Sequence, residues 1–231
     1  MHYDHIHSIG DRRFLLVERY DRAADPQGRI QRLHQEDFCQ ALGVIPEIKY
    51  QNEGGPDLAQ CFELVRRVTR PNAPHVLRLL DYVIFNALMG NHDAHAKNFS
   101  LLYAGRALIL APCYDTLSTA VYPTLTPRMA MKIGSKYKFS EVQARHWDQF
   151  AESAGLAKAQ TRKRILELAR LLPLAARKLQ AAPASSFSNH ALIEQIINLI
   201  EQRAALTIRR LTESAADIAG EVRQGPDIDG S

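Results

Sequence analysis

The sequence predicts an α+β fold that is mostly helical, with short strands and hairpins in the front half packed on a helical bulk. Three observations carry this. From about Ser140 to Thr212 the apolar pattern is helical throughout, broken near Gly155, Pro173 and Pro183. "FSLLYAGRALILAP" (residues 99–112) reads as a hairpin: an apolar run, an "AGR" turn, a second apolar run and Pro112 as terminator. Between about Pro74 and Met89, Val76, Leu77, Leu80, Val83, Ile84, Ala87 and Leu88 keep the spacing of a buried helix that stops at Gly90.

The remaining elements follow in order. "RRFLLVERYDR" (residues 12–22) suits a buried strand that ends in a charged turn, and "DPQG" (residues 25–28) is a turn signal. "QEDFCQALG" reads as a short helix closed by Gly43. Two glycines and a proline make "QNEGGPD" (residues 51–57) a loop, and a helix follows from about Asp57 to Thr69. "RMAMKIGSKYKF" (residues 128–139) reads as a strand pair, and "ESAADIAGEVRQGPDIDGS" as a polar, frayed tail.

Bulk properties narrow the function class. No run approaches 18 apolar residues, so neither a transmembrane helix nor a membrane partner is expected. "MHYDHIHSIGDRRF" has early acids and no apolar core, unlike a signal peptide. Cys39, Cys61 and Cys113 are odd in number and widely spaced, which fits a reduced, cytoplasmic setting. A net charge of +4 permits acidic partners but is small for 231 residues, so a mixed solvated surface accounts for it.

The chemistry concentrates in "GNHDAHAKNF" (residues 90–99). His92, Asp93 and His95 are competent zinc ligands. The two histidines do not lie at i and i+4 on one helical face, however, and Lys97 would set a cation beside the metal. Spacing favours phosphoryl transfer. That chemistry needs a carboxylate to accept the hydroxyl proton, an amide oxygen on Mg²⁺, and a later Asp on the metal that bridges the phosphates. Asp93 and Asn98 stand five residues apart, as in a kinase catalytic loop, and Asp115 follows the predicted hairpin in "PCYDT". Lys97 adds a cation for a transferring phosphate. Taken singly, each acid also suits a turn or a helix cap.

These blocks resemble the C-terminal kinase region of the HipA family, serine/threonine protein kinases that act as toxins in bacterial toxin–antitoxin systems. "GNHDAHAKNFSLLY" and "LAPCYDTLSTAVYP" carry the resemblance, with "FLLVERYDR", "RLHQEDFCQALGV", "KYQNEGGP" and "MAMKIGSKYKF". It implies a protein-kinase-like C-lobe of the HipA type. Asp93 would be the proton acceptor, and Asn98 and Asp115 the magnesium ligands. His95, Ala96, Lys97 and Asn98 would line the ATP phosphates with Tyr114 and Asp115, and Glu18, Arg19 and Tyr20 would form the hinge that receives adenine. Glu36 and Asp37 would organise the helix that follows them.

The implied organisation is residues 1–22 as the remnant of an N-lobe and hinge, 23–213 as the kinase domain, and 214–231 as a flexible tail. Family members carry an N-terminal subdomain, a Gly-rich loop and a strand lysine before the hinge. Here the only glycine before the hinge strand is Gly10, and the first lysine is Lys49. The chain alone is therefore expected to be weakly active or inactive. It would be the large part of a split kinase, served by a separately encoded N-terminal subunit, or a truncated relic. An apolar face near Phe14–Val17 should then be exposed. A protein substrate and an antitoxin are the implied partners, with DNA reached only through the antitoxin. Two other readings stand beside this one. One is a catalytically dead module that binds an antitoxin, using "TRKRILELAR" and "EQRAALTIRRL" toward phosphates. The other is a small-molecule phosphotransferase of related fold.

Overall fold

A computed structural model describes residues 5–182 and 190–223. Two antiparallel hairpins come first: β1 (His5–Ile9) with β2 (Arg12–Leu16), then β3 (Arg22–Ala24) with β4 (Ile30–Arg32). The expected strand at Arg12 forms, but it is not buried. Phe14, Leu16 and Val17 are 41%, 52% and 53% exposed, because a two-stranded ribbon leaves one face open. The exposure expected near Phe14–Val17 is thus present at Phe14, Leu16 and Val17. The "DPQG" turn closes through Gly28 N–H to the Asp25 carbonyl at 2.8 Å.

β5 (Gln35–Asp37) runs straight into α1 (Phe38–Ala41). The "QEDFCQALG" helix is therefore one turn long, and its first three residues are strand instead. They pair with β6 (Ser100–Ala104), which pairs in turn with β7 (Ala107–Leu110). Asp37 organises α1 as expected: its carboxylate caps Gln40 N–H at 2.9 Å, and the Gln40 side chain returns the bond to Asp37 N–H.

Residues 51–53 form one 3-10 turn inside the expected loop. Asp57 and Gln60 make a second capping box, which starts α2 (Leu58–Val68). α3 (Asn72–Met89) begins two residues before Pro74, since a first-turn proline loses no helical bond. Val76, Leu79, Leu80, Val83, Ile84, Ala87 and Leu88 are buried, whereas Leu77 is 54% exposed and points off the apolar stripe. α3 is the centre of the core. α2 packs on one side of it, β7 at another, and the long C-terminal helices on the rest.

β8 (Arg128–Ile133) and β9 (Lys136–Lys138) form the last hairpin, as the sequence predicts. Three helices follow: α4 (Ala144–Ser153), α5 (Lys158–Gln180) and α6 (Ala191–Arg223). A break falls at Gly155, but Pro173 lies inside α5 and does not end it. The turns beyond Pro173 are tied to α6 instead, because Arg177 bonds Glu194, Asn198 and Glu201 there. Pro183 lies outside the described residues. α6 runs on to Arg223, past the Thr212 end that the pattern sets and into the stretch read as a tail. Residues 224–231 lie outside the description. Cys39, Cys61 and Cys113 are free thiols, and among the described residues no helix is long and apolar enough to cross a membrane.

Candidate active site

The site is built at the C-terminal end of α3. Gly90 closes the helix in the left-handed conformation, at φ 84°, and turns the chain into the motif. Its neighbour Asn91 then acts as a node. The Asn91 amide nitrogen donates to Asn86 Oδ1 at 2.8 Å and to the Asp115 carbonyl at 3.1 Å, while its oxygen accepts from Asp93 N–H at 3.1 Å. One buried side chain thus joins the helix end, the Asp93 backbone and the Asp115 turn.

Asp93 is half-buried, and Tyr50 donates its hydroxyl to Asp93 Oδ1 at 2.8 Å. Burial and that bond push the Tyr50 phenol up to about 12. A cavity of about 400 Å³ opens beside this pair, lined by Asn52, Glu53, Thr119, Leu125 and Arg128 among others. Neither Asn98 nor Asp115 lines it.

The second half of the site is assembled from the other end of the motif. His95 N–H bonds the Asp93 carbonyl at 2.8 Å, and Ala96–Asn98 form a single 3-10 turn. Asn98 Nδ2 then donates to Asp115 Oδ2 at 2.7 Å. Asp115 is the one non-glycine residue at positive φ among those described, at 54°. That backbone is costly for a residue with a side chain and marks a position set by its surroundings. Tyr114 donates to the Lys97 carbonyl at 2.6 Å, so Ser100 must donate to the Tyr114 oxygen, also at 2.6 Å. The segment between β2 and β3 joins through Tyr20, whose ring centre lies 6.1 Å from that of Tyr114. Arg19 faces the other way, onto the buried Asp21 carboxylate at 2.6 and 2.8 Å. This bond, together with Arg22, holds Asp21 below the usual carboxylate range. Glu18 is exposed on the same segment.

Asp93, His95, Ala96, Lys97, Asn98, Tyr114 and Asp115 therefore converge, and Tyr20 reaches them from the segment between β2 and β3. The residues present fit a Mg²⁺–nucleotide ligand on two counts. Asn98 Oδ1 and Asp115 Oδ1 accept no hydrogen bond from any described residue, and hard oxygen donors of this type suit Mg²⁺. The buried His95 Nδ1 has no partner either, a polar atom left for a ligand to satisfy. Lys97 forms no ion pair with a described residue.

The histidine pair does not form a zinc chelate. Arg203 donates to His92 Nε2 at 2.8 Å, and a guanidinium has no acceptor, so the ring proton sits on Nδ1 and faces the Thr126 carbonyl at 3.1 Å. Both ring nitrogens are engaged, and no group of three or more His, Cys, Asp or Glu among the described residues could hold a metal.

A family model described as the HipA-like C-terminal domain matches residues 1–176. This chain belongs to the HipA-like C-terminal domain family. Among curated relatives, the "Putative kinase Y4mE" of Sinorhizobium fredii is 46% identical over 86% of this HipA-like chain and 47% of its own length. The serine/threonine-protein kinase toxin HipA of Shewanella oneidensis is 29% identical over 72% and 41% respectively. The HipA of Shewanella oneidensis MR-1, solved with HipB and its operator DNA, superposes with a TM-score of 0.82 at 25% identity, covering 92% of this chain and 53% of that one. The Helicobacter pylori proinflammatory kinase CtkA shares the fold at a TM-score of 0.51 and 11% identity, over 93% of this chain and 81% of that one. The HipA-like chain thus spans about half the length of the first curated relatives it matches.

Tyr50, Asn91 and Arg203 are site residues that the sequence reading did not single out. Tyr50 and Asn91 lie inside the blocks "KYQNEGGP" and "GNHDAHAKNF". Arg203 had no local signal, since its partner His92 is 111 residues away.

Proposed function

We propose that this HipA-like domain performs the C-lobe chemistry of a serine/threonine protein kinase, transferring the γ-phosphoryl group of ATP to a protein hydroxyl with Mg²⁺. The observation that carries this is the Asn98–Asp115 hydrogen bond, which aligns two oxygen donors beside the loop that presents Asp93. Asp93 accepts the proton of the incoming Ser or Thr hydroxyl, with Tyr50 holding Oδ1 and steering the carboxylate. The 400 Å³ cavity beside Asp93 admits that hydroxyl, since Asp93 lines it and the Asn98–Asp115 pair does not. Asn98 and Asp115 would hold Mg²⁺, which when bound would neutralise charge on the transferring phosphates. His95, Ala96, Lys97 and Tyr114 line those phosphates, and the backbone of Glu18–Tyr20 faces adenine. Residues 1–22 act as the hinge and its approach, and 23–213 as the catalytic body.

Full transfer is expected to draw on the rest of the relatives' length, in a longer polypeptide or a second one, since the chain spans 47% and 41% of those two relatives. The HipB complex of the Shewanella HipA supports an antitoxin partner, and the free cysteines fit a reduced, cytoplasmic setting for it. DNA would be reached only through that antitoxin. Four of the six arginines on the two basic helices are committed within the chain: Arg162 to Asp148, Arg164 to Asp81, Arg203 to His92, and Arg210 to backbone carbonyls, while Arg170 and Arg209 are exposed.

The test is phosphoryl transfer to Ser or Thr by the chain joined to the N-terminal half of a relative. Asp93→Asn and Asp115→Asn are expected to abolish it. A well-folded joined protein with neither transfer nor a Mg-ATP-dependent rise in melting temperature would falsify the assignment.

A further inference from the structure

The family match ends at residue 176, yet α6, which begins at Ala191, grips the loop that carries Asp93. Two contacts one helical turn apart make the grip. Leu199 sits so close to Gly90 that a Cβ there would come within 2.6 Å of Leu199 Cδ2. Four residues on, Arg203 donates through Nη1 to the Ala87 carbonyl at 2.7 Å and through Nη2 to His92 Nε2 at 2.8 Å. Its guanidinium also lies 4.4 Å over the Phe139 ring.

The Ala87 carbonyl explains part of this arrangement. Gly90 N–H and Asn91 N–H both bond Asn86, so the Ala87 carbonyl loses its helical donor at the end of α3. Arg203 supplies a donor, and a positive charge at a helix C-terminus is favourable there. The rest of the arrangement concerns His92. Its N–H bonds Thr119 Oγ1, its carbonyl accepts from Ala130 N–H, and its ring is held between Arg203 and Thr126. His92 is thus fixed at four atoms, and the next residue is Asp93. Arg203 has no carboxylate partner among the described residues. Its partners are instead a helix-end carbonyl and a ring nitrogen beside Asp93.

We propose that α6 is a working part of the site and that Arg203 is a positioning residue, setting the loop that presents Asp93. The proposal rests on the reading of Asp93 as the proton acceptor. The test compares the full chain with R203M, R203K and the control R210M, whose arginine serves Ser140 and Val142 on the same helix. Imidazole ¹⁵N spectra of wild type should show His92 protonated on Nδ1 alone. R203M should mix the two tautomers and raise hydrogen exchange of residues 90–95 at least tenfold. R203K keeps a donor for Ala87, so it should fold even if R203M does not, while still losing the single tautomer. R210M should leave both signals as in wild type. Unchanged exchange at 90–95 in R203K and R203M, or an equal rise in R210M, overturns the proposal. These readouts need no nucleotide, so a failed transfer assay leaves them standing. In the joined, active protein R203K should lower kcat at least tenfold with the KM for ATP within twofold, and a loss confined to KM also overturns it.

Discussion

Asn98 and Asp115 meet through one hydrogen bond, Nδ2 to Oδ2 at 2.7 Å, across the β6–β7 hairpin that separates them in the chain. The hairpin therefore acts as a spacer. It returns Leu110 opposite Leu101 and ties Ala111 N–H to the Ser100 carbonyl at 2.8 Å, so that Asp115 lands opposite the 3-10 turn at Ala96–Asn98.

Asn98→Ala should leave the fold intact and release Asp115 from its set orientation. A displacement of about 1 Å at a reacting centre costs on the order of a hundredfold in rate. The thermal shift produced by Mg-ATP should shrink by a similar factor in apparent affinity. An unchanged shift would remove Asn98 from the site.

Tyr50→Phe should cost about 1 kcal/mol, since it deletes a hydrogen bond to a carboxylate that is only half-buried. The Tyr50 phenol is raised to about 12 from an ordinary 10.0, so its contribution is whole below pH 10 and is lost as pH rises through about 12. Alkaline absorbance titration should lose one late-ionising tyrosine in the variant. If the tyrosine that disappears titrates near its ordinary value, the bond is not formed in solution.

His92, His95 and His146 are all held below their ordinary 6.5, chiefly by burial and then by nearby cations. A depressed histidine favours the neutral form in the folded state. The unfolded chain then binds more protons as pH falls below about 6.5, and stability falls with it until the folded values are reached. Urea midpoints should therefore drop between pH 7.5 and 5.5, above the range in which carboxylates titrate. Equal midpoints at the two values would contradict the buried, neutral state of these rings.

Gly90→Ala should destabilise by about 1–3 kcal/mol, through both positive φ and overpacking. The new Cβ would meet Leu199 Cδ2 at 2.6 Å and Ala120 Cβ at 2.9 Å. Pairing it with Leu199→Ala should recover part of the loss. A purely additive double variant would place the cost in the backbone alone.

Elements governed by local chemistry were legible in the sequence. The Asp57 cap, the Gly90 stop and the Gly105 hairpin each depend on residues within a turn of one another. The order of Asp93, Asn98 and Asp115 was equally readable, because spacing survives folding. What escaped was long-range. Pro173 looked like a break, since the ties from Arg177 to α6 that hold the following turns are invisible in a local window. The strand at Phe14 looked buried because composition cannot say how many neighbours a strand will have. Arg203 read as surface charge on an amphipathic helix and is instead among the most enclosed cations described.

That the family model stops short of α6 has a practical side. A boundary placed at residue 176 would keep every residue of the 90–99 motif while discarding Leu199 and Arg203. A fragment trimmed in that way would retain its catalytic signature on paper and lose the brace behind it. For this domain, the end of the family model and the limit drawn by mechanics fall at different places in the chain.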